Sequence, residues 1–329
     1  MDVAHLKVPD SVLEGARFVM AQAHDVSIHD DALGELAGTI EARLQQGVDD
    51  LETAFGTTGV LDRDVNIVFF ETVVNFCFWG DLDGQKWTVE RDGQKLGGWY
   101  SLAACFDRAI ARGVPVDDAA FMTSLTEVQA RELFAGVDDV EIPLLQQRVR
   151  NLNEAGRHLV EKYDGRVMKL LAAVDFSAPR LAEYVATELM SFRDGATYDG
   201  RWVWVLKRAQ ILGGDLSQLS ARYPEFRIKD CDKLTAFADY RLPQILRHYG
   251  VITYSQSLGQ RVDAGEYIEA ASAPEIEIRA ATIQVCEMLK TQLPNRSSAD
   301  IDVGLWLLSQ DMRNDPGLSP HHRTLGQFY

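Results

Sequence analysis

Leu144-Leu145-Gln146-Gln147-Arg148-Val149-Arg150-Asn151-Leu152-Asn153-Glu154-Ala155-Gly156-Arg157-His158-Leu159-Val160-Glu161-Lys162 repeats its apolar residues at helical spacing. Leu145, Val149, Leu152 and Leu159 fall on one face, and polar residues cover the rest. The same period returns near 180–191, 206–220, 233–249, 279–292 and 301–313. One interruption stands out. Asp199-Gly200 reads as a turn, and Arg201-Trp202-Val203-Trp204-Val205 alternates like a short strand before the next helix. From residue 144 on, the chain is helical with a small β excursion.

Working outward to the N-terminal side, Ser11 and Glu14 have the spacing of a capping box, followed by Val12, Ala16, Val19 and Ala23 at helical spacing. A second amphipathic stretch runs from about Asp31 to Gln46. Asn66 to Trp79 is the most apolar part of the chain, and its β-branched and aromatic residues suit a helix or a strand. Lys86-Trp87-Thr88-Val89-Glu90 alternates in period two, and Asp92-Gly93 then signals a hairpin turn. Lys95-Leu96 starts the return strand. A helix opens near Ser101, with Leu102, Cys105, Phe106 and Ile110 on one face, and Gly113 and Pro115 stop it. No internal repeat and no linker rich in Pro, Gly and Ser divides the 329 residues. The fold class is mainly α with one or two small β-hairpins, built over 1–329 as one compact domain or two closely packed lobes.

Composition narrows the function. Apolar residues make up 46% of the chain, enough for a full core. Lys and Arg number 33 against 49 Asp and Glu, a net charge of -16, with no basic run. Such a chain repels a phosphate backbone, which argues against a nucleic-acid polymer as partner. No apolar stretch approaches the roughly 18 residues of a membrane span. The start, Met1-Asp2-Val3, lacks a signal pattern. Cys77, Cys105, Cys231 and Cys286 are far apart and lack metal-ligand spacing. The expectation is a cytoplasmic protein with free thiols and no membrane partner.

The familiar catalytic motifs are missing. There is no Gly-x-Gly-x-x-Gly, no phosphate loop, no His-Glu-x-x-His, no Cys-x-x-Cys and no Gly-x-Ser-x-Gly. His321-His322 has no partner at ligand spacing, so neither a metal nor a cofactor is expected. What remains is polar residues set in apolar sequence. In Leu234-Thr235-Ala236-Phe237-Ala238-Asp239-Tyr240-Arg241-Leu242-Pro243-Gln244, Pro243 either breaks a helix or begins one. Either way the backbone at Asp239 is irregular. A carboxylate there suits catalysis, or else caps the helix or pairs with an arginine. Ser191-Phe192-Arg193-Asp194 reads as a turn or internal ion pair, or as a pair that orients a ligand. Lys207 sits between the Trp202/Trp204 strand and a helix, where it meets an anion or lies in solvent. Phe76, Phe78, Trp79, Trp99 and Tyr100 fill a core or stack on a flat ring.

Together these stretches resemble the queuosine salvage proteins, a family of queuosine 5′-phosphate N-glycosylases. The resemblance is carried by Val74-Asn75-Phe76-Cys77-Phe78-Trp79, Gly98-Trp99-Tyr100-Ser101-Leu102, Ser191-Phe192-Arg193-Asp194 and Lys207-Arg208-Ala209-Gln210-Ile211-Leu212. It continues through Phe237 to Gln244, Glu275-Ile276-Glu277-Ile278-Arg279, His322-Arg323 and Tyr329. These matches run in order from about residue 65 onward. The first 60 residues carry little of it.

The resemblance implies a helical core similar to that of helix-hairpin-helix DNA glycosylases. It also implies hydrolysis of the N-glycosidic bond of queuosine 5′-phosphate to queuine and ribose 5-phosphate, feeding queuine back into tRNA modification. Breaking that bond builds positive charge on the sugar, which an ionised carboxylate stabilises. Asp239 is the candidate catalytic residue. Queuine has carbon where guanine has N7, so protonation at that position is closed. Its secondary amine is cationic and calls for an acidic partner, with Asp194 as candidate. The 5′-phosphate calls for a cation: Lys207, with Arg193 behind it. Phe76, Trp99, Phe192 and Tyr240 are candidate aromatic walls for the base. The rival readings are a hydrolase of another nucleotide, a non-catalytic binder of queuine or its nucleotide, and a helical protein-interaction module.

Overall fold

Residues 64 to 73 are all buried, and they explain the most apolar stretch of the sequence. They form helix α3 (Leu61–Val73), which is packed on every side and so needs no polar face. In this computed structural model, which describes residues 6–47, 56–80 and 84–329, the order begins α1 (Asp10–Met20), β1 (Val26–Ile28) and α2 (Leu33–Leu44). Met1-Asp2-Val3, read for a signal, lies outside the described residues. After α3 come β2 (Thr88–Arg91), β3 (Gln94–Gly97), α4 (Trp99–Ala111), α5 (Ala119–Thr123) and α6 (Glu127–Leu133). Then follow α7 (Leu145–Tyr163), α8 (Val167–Ala173), α9 (Ala178–Glu188), β4 (Gly195–Tyr198), β5 (Arg201–Trp204) and α10 (Lys207–Gln218). The chain closes with α11 (Arg241–His248), β6 (Ile252–Tyr254), α12 (Gln256–Asp263), α13 (Ala273–Gln292) and α14 (Ser298–Asp311).

The mainly helical class holds, and each described sheet is a two-stranded antiparallel pair. Thr88↔Gly97 and Arg91↔Gln94 set the register of the first hairpin. Its turn has φ of 53° at Asp92 and 76° at Gly93, the doubly left-handed turn that matches strand twist. Gly195↔Trp204 and Tyr198↔Arg201 define the second. The third pair, Val26↔Tyr254 to Ile28↔Ile252, joins distant parts of the chain and had no local signal.

Two hydrophobic clusters make up most of the interior. The larger gathers α3, α7, α8, α9 and α10; the other gathers α2, α11 and α14 around α13. Helix α13 serves both: Ile276, Ala280 and Ile283 face the first, and Ile278, Ala281, Val285 and Leu289 face the second. Helices α9 and α10 approach closely because Gly213 has no side chain; a Cβ there would lie 2.8 Å from that of Ala178.

Two local expectations change. The capping box at Ser11 does not form, because α1 begins at Asp10 and Ser11 lies within its first turn. The Ser11 hydroxyl accepts instead from Lys7 N at 3.0 Å. Capping boxes stand at Thr126–Gln129 and Ser297–Asp300. The stretch near 233–249 is helical only over Arg241–His248, for reasons that belong to the site.

Candidate active site

Pro243 has no N–H to give, and in α11 it stands in the first turn, where none is needed. The helix therefore starts just before it. Asp239 supplies the missing acceptor: its Oδ1 receives Arg241 N at 2.6 Å and Leu242 N at 3.2 Å. Of the alternatives for Asp239, the cap is formed, by one of its two oxygens. Its Oδ2 has no hydrogen-bond partner among the described residues, and the side chain lines a cavity. The preceding segment is held extended by side chains from other helices. Gln210 receives Thr235 N at 2.9 Å, Asp302 Oδ1 receives Phe237 N at 2.6 Å, and Arg279 Nε reaches Ala238 O at 3.3 Å.

Lys207 is the first residue of α10. Asp194 fixes that start by accepting Lys207 N at 2.8 Å, while its backbone carbonyl receives Val205 N and Leu206 N. The Asp194 carboxylate is in turn gripped by Arg279, at 2.8 Å from Nη1 and 2.6 Å from Nη2. Lys207 is 4% exposed, and its amine makes no hydrogen bond among the described residues. Burial pushes the Lys207 amine below its ordinary value, against the opposing charge of Asp239.

Two chambers meet at this point. The wide one is about 520 Å³ and the narrow one about 140 Å³. They share Asn75, Trp99, Lys207, Asp239 and Trp306. Ile211, Gly214, Asp215, Gln218, Phe237 and Asp302 continue the wide chamber. Phe78, Trp79, Lys86, Tyr240, Arg241 and His321 continue the narrow one. Trp99 and Trp306 meet edge to face at 6.3 Å, and Tyr240 lies 4.6 Å from the His321 ring. Gly98 turns the chain into α4 with a φ of 65°, a conformation that glycine adopts without strain.

The wide chamber is acidic. Burial raises Asp215 from its ordinary 3.8 to about 7, against the pull of the Thr72 hydroxyl and Lys207. Burial also lifts Asp302 well above the usual range, and the charge of Asp239 adds to it. Behind Asp215, Glu71 is 1% exposed, and neither of its oxygens has a hydrogen-bond partner among the described residues. Burial drives it well up, as do the charges of Asp107 and Asp215.

The structure brings together Asp239, Lys207, Trp99 and Tyr240 from the sequence candidates. It places the others in the scaffold. Asp194 lines neither chamber, because both of its oxygens are taken by Arg279 and Lys207 N. The Arg193 guanidinium is bound to the carbonyls of Ala186 and Thr187, at the end of α9. Phe192 is fully buried against Phe69, and Phe76 lies under the Arg148 guanidinium at 4.3 Å. That guanidinium and Arg208 hold the turn after α3. Arg148 binds the carbonyls of Val74, Phe76 and Cys77, and Arg208 those of Thr72 and Val73. The turn they hold presents Asn75 to both chambers.

Asn75, Asp215, Asp302 and Trp306 were not singled out from sequence. A signal existed on two helix faces. Lys207, Ile211 and Asp215 are spaced by four along one helix, as are Asp302 and Trp306. Nothing local said that those faces look at each other.

A helical scaffold that walls a cavity with tryptophans, and sets one carboxylate and one ammonium at its waist, is built to act on a flat, charged small molecule. The chain belongs to the queuosine salvage protein family, whose model matches residues 58–329. A relative from Sphaerobacter thermophilus, named queuosine 5′-phosphate N-glycosylase/hydrolase, is 38% identical over 97% of both chains. Relatives with the same name come from Bos taurus, 30% identical over 96% of this chain and 98% of its own, and Schizosaccharomyces pombe, 31% identical over 91% of both. The coverage by these relatives takes in the N-terminal region, which carried little of the resemblance.

Proposed function

We propose that this chain hydrolyses the N-glycosidic bond of queuosine 5′-phosphate, releasing queuine and ribose 5-phosphate. The observation that carries the reading is the waist between the chambers. A nucleotide bound with its base in the wide chamber and its sugar phosphate in the narrow one puts its anomeric carbon beside Asp239. The wide chamber has room and aromatic walls for a base with a bulky substituent.

In this pose Asp239 Oδ2 faces the positive charge that grows on the sugar as the C1′–N9 bond breaks, and the bond's electron pair leaves with the base. Water adds to C1′ and gives one proton to Asp239, and the departing base takes up one proton, so that neutral queuine and ribose 5-phosphate are the products. Lys207 at the waist, and Arg241 in the narrow chamber, supply positive charge for the ribose 5-phosphate end. Trp99 and Tyr240 wall the sugar and base. Asp194, with Arg193, Phe192 and Phe76, acts from behind by fixing the elements that carry Lys207 and Asn75. The acidic balance of -16 suits a free nucleotide and not a polymer. No helix among the described residues is long and apolar enough to cross a membrane, and the four cysteines are free thiols, so we place the activity in the cytoplasm.

The test is an end-point assay. Purified protein is incubated with queuosine 5′-phosphate without added metal, and free queuine is read by mass spectrometry. Guanosine 5′-phosphate and queuosine run alongside. Release from queuosine 5′-phosphate alone is the expected result. Binding without release would leave a carrier of the nucleotide.

A further inference from the structure

Beyond α14 the described chain has no helix and no strand, yet it reaches the elements that carry the site. Gln327 O receives Arg208 Nε at 3.0 Å, from α10. Phe328 O receives Arg279 Nη2 at 3.3 Å, from α13. Tyr329 O receives Cys77 N, in the turn that presents Asn75. Three successive carbonyls thus tie three parts of the frame together. The Tyr329 side chain is buried in a small apolar cluster with Phe76, Cys77, Trp79 and Tyr240, apart from the two large ones. Tyr240 follows Asp239 in the chain, and it and Trp79 wall the narrow chamber. The Tyr329 ring has a further neighbour, the Arg279 guanidinium, whose carbon lies 4.8 Å from the ring centre. In its own plane that guanidinium meets an acceptor with every N–H. Nη1 and Nη2 reach Asp194, Nη1 also Glu275, Nη2 also Phe328 O, and Nε reaches Ala238 O. Three of these five contacts are long, at 3.3 to 3.5 Å, and hold the tilt of the plane weakly. The ring against its face holds it better. A tilt would move together the carbonyl before Asp239 and the carboxylate that receives Lys207 N.

We propose that Tyr329 is a positioning residue for the reaction: its ring holds the plane of Arg279, and so sets Asp239 against Lys207 at the waist. This rests on the reading of those two as working groups of a nucleotide hydrolase. The ring carries the effect and the hydroxyl does not. Glu275 lies beside that hydroxyl, which makes no hydrogen bond of ordinary geometry among the described residues. Displacing a reacting group by about 1 Å costs up to about a hundredfold in rate, even when the change is remote from the chemistry. The cluster that Tyr329 closes is separate from the two that make up most of the interior, so loosening it reaches the site before it reaches the fold.

Two variants of the full chain test this. Tyr329→Phe keeps the ring, and Tyr329→Leu replaces it with an apolar chain. For each, kcat is read from queuine release with saturating queuosine 5′-phosphate. Amide hydrogen exchange is read by mass spectrometry on peptides carrying Lys207 and Arg241, with α8, inside the larger cluster, as control. Tyr329→Phe retains kcat within about twofold, and Tyr329→Leu lowers it at least about tenfold. In Tyr329→Leu the Lys207 and Arg241 peptides exchange at least about tenfold faster, and α8 stays within about twofold of the unmodified chain. Unchanged kcat in Tyr329→Leu overturns the proposal. So does an equal loss in Tyr329→Phe, which would assign the effect to the hydroxyl, or an equal rise of exchange in α8, which would make it general loosening. Faster local exchange in Tyr329→Leu, with no queuine released even by the unmodified chain, keeps the ring as the brace of Arg279 and overturns the hydrolase reading. Release that does not depend on the ring does the reverse.

Discussion

Asp239 has two oxygens with two tasks, and this makes it testable. Oδ1 caps α11 and Oδ2 faces the cavity. Asparagine caps a helix about as well as aspartate, so Asp239→Asn keeps the cap and removes the charge. Turnover should fall by at least about a hundredfold, the scale of losing one preorganised electrostatic group, with an unchanged helical signal in circular dichroism. Loss of that signal would make Asp239 structural. Lys207 separates in another way. Lys207→Ala should raise KM for queuosine 5′-phosphate far more than for queuosine, and a comparison of the two substrates reads this directly. Equal losses would remove Lys207 from the phosphate. Both residues were legible because they interrupt apolar sequence at the edge of an element. Asp215 and Asp302 were not, since an acid on an amphipathic helix reads the same whether it faces water or a closed chamber.

At the scale of elements, the site depends on how helices begin. Helix α10 begins where Asp194 receives Lys207 N, and α11 begins where Asp239 receives Arg241 N. The first anchor is itself tied to α13 through Arg279, an ion pair of 2.6 Å with both partners about 97% buried. Asp194→Asn leaves that guanidinium with only the longer contact to Glu275, at 3.5 Å, as a buried counter-charge. It should cost about 3–5 kcal/mol, the range for breaking a buried pair, read as a lower urea midpoint. A variant of full stability with only a raised KM would return Asp194 to the ligand, as expected from the sequence. The hairpin at Asp92-Gly93 was legible because its signal is contained in adjacent residues. The pairing of Val26–Ile28 with Ile252–Tyr254 was not, because alternation over three residues does not name a distant partner. The segment from Leu234 to Tyr240 has a helical period, but its donors are taken by Gln210 and Asp302. Tertiary hydrogen bonds override the local pattern there.

Across the whole molecule, α13 is the part that makes one site from two clusters. Its Arg279 reaches both Asp194 and the carbonyl before Asp239. Its Glu277 accepts from the backbone of His24, Asp25 and Val26, and from the Tyr198 hydroxyl. A cavity enclosed by such a frame imposes a pH signature on folding. Burial holds His321 and His322 at about 3, below their ordinary 6.5. Unfolding therefore takes up protons below about pH 6.5, and these residues cost stability as the solution is acidified. Asp215 acts in the opposite sense. It is raised from 3.8 to about 7, so across that window the folded chain holds a proton that the unfolded chain releases. Its protonated form is tolerated below about pH 4, and stability is lost as the pH rises to about 7, beyond which the penalty is constant. Asp215→Asn has no proton to lose, and its amide oxygen still accepts from Thr72. Relative to the unmodified chain it should be near neutral at pH 4.5 and more stable by on the order of 1–2 kcal/mol at pH 8, allowing for water in the cavity. Urea midpoints at the two pH values measure the difference. A difference independent of pH would mean that Asp215 is ionised throughout, with its charge matched within the chamber.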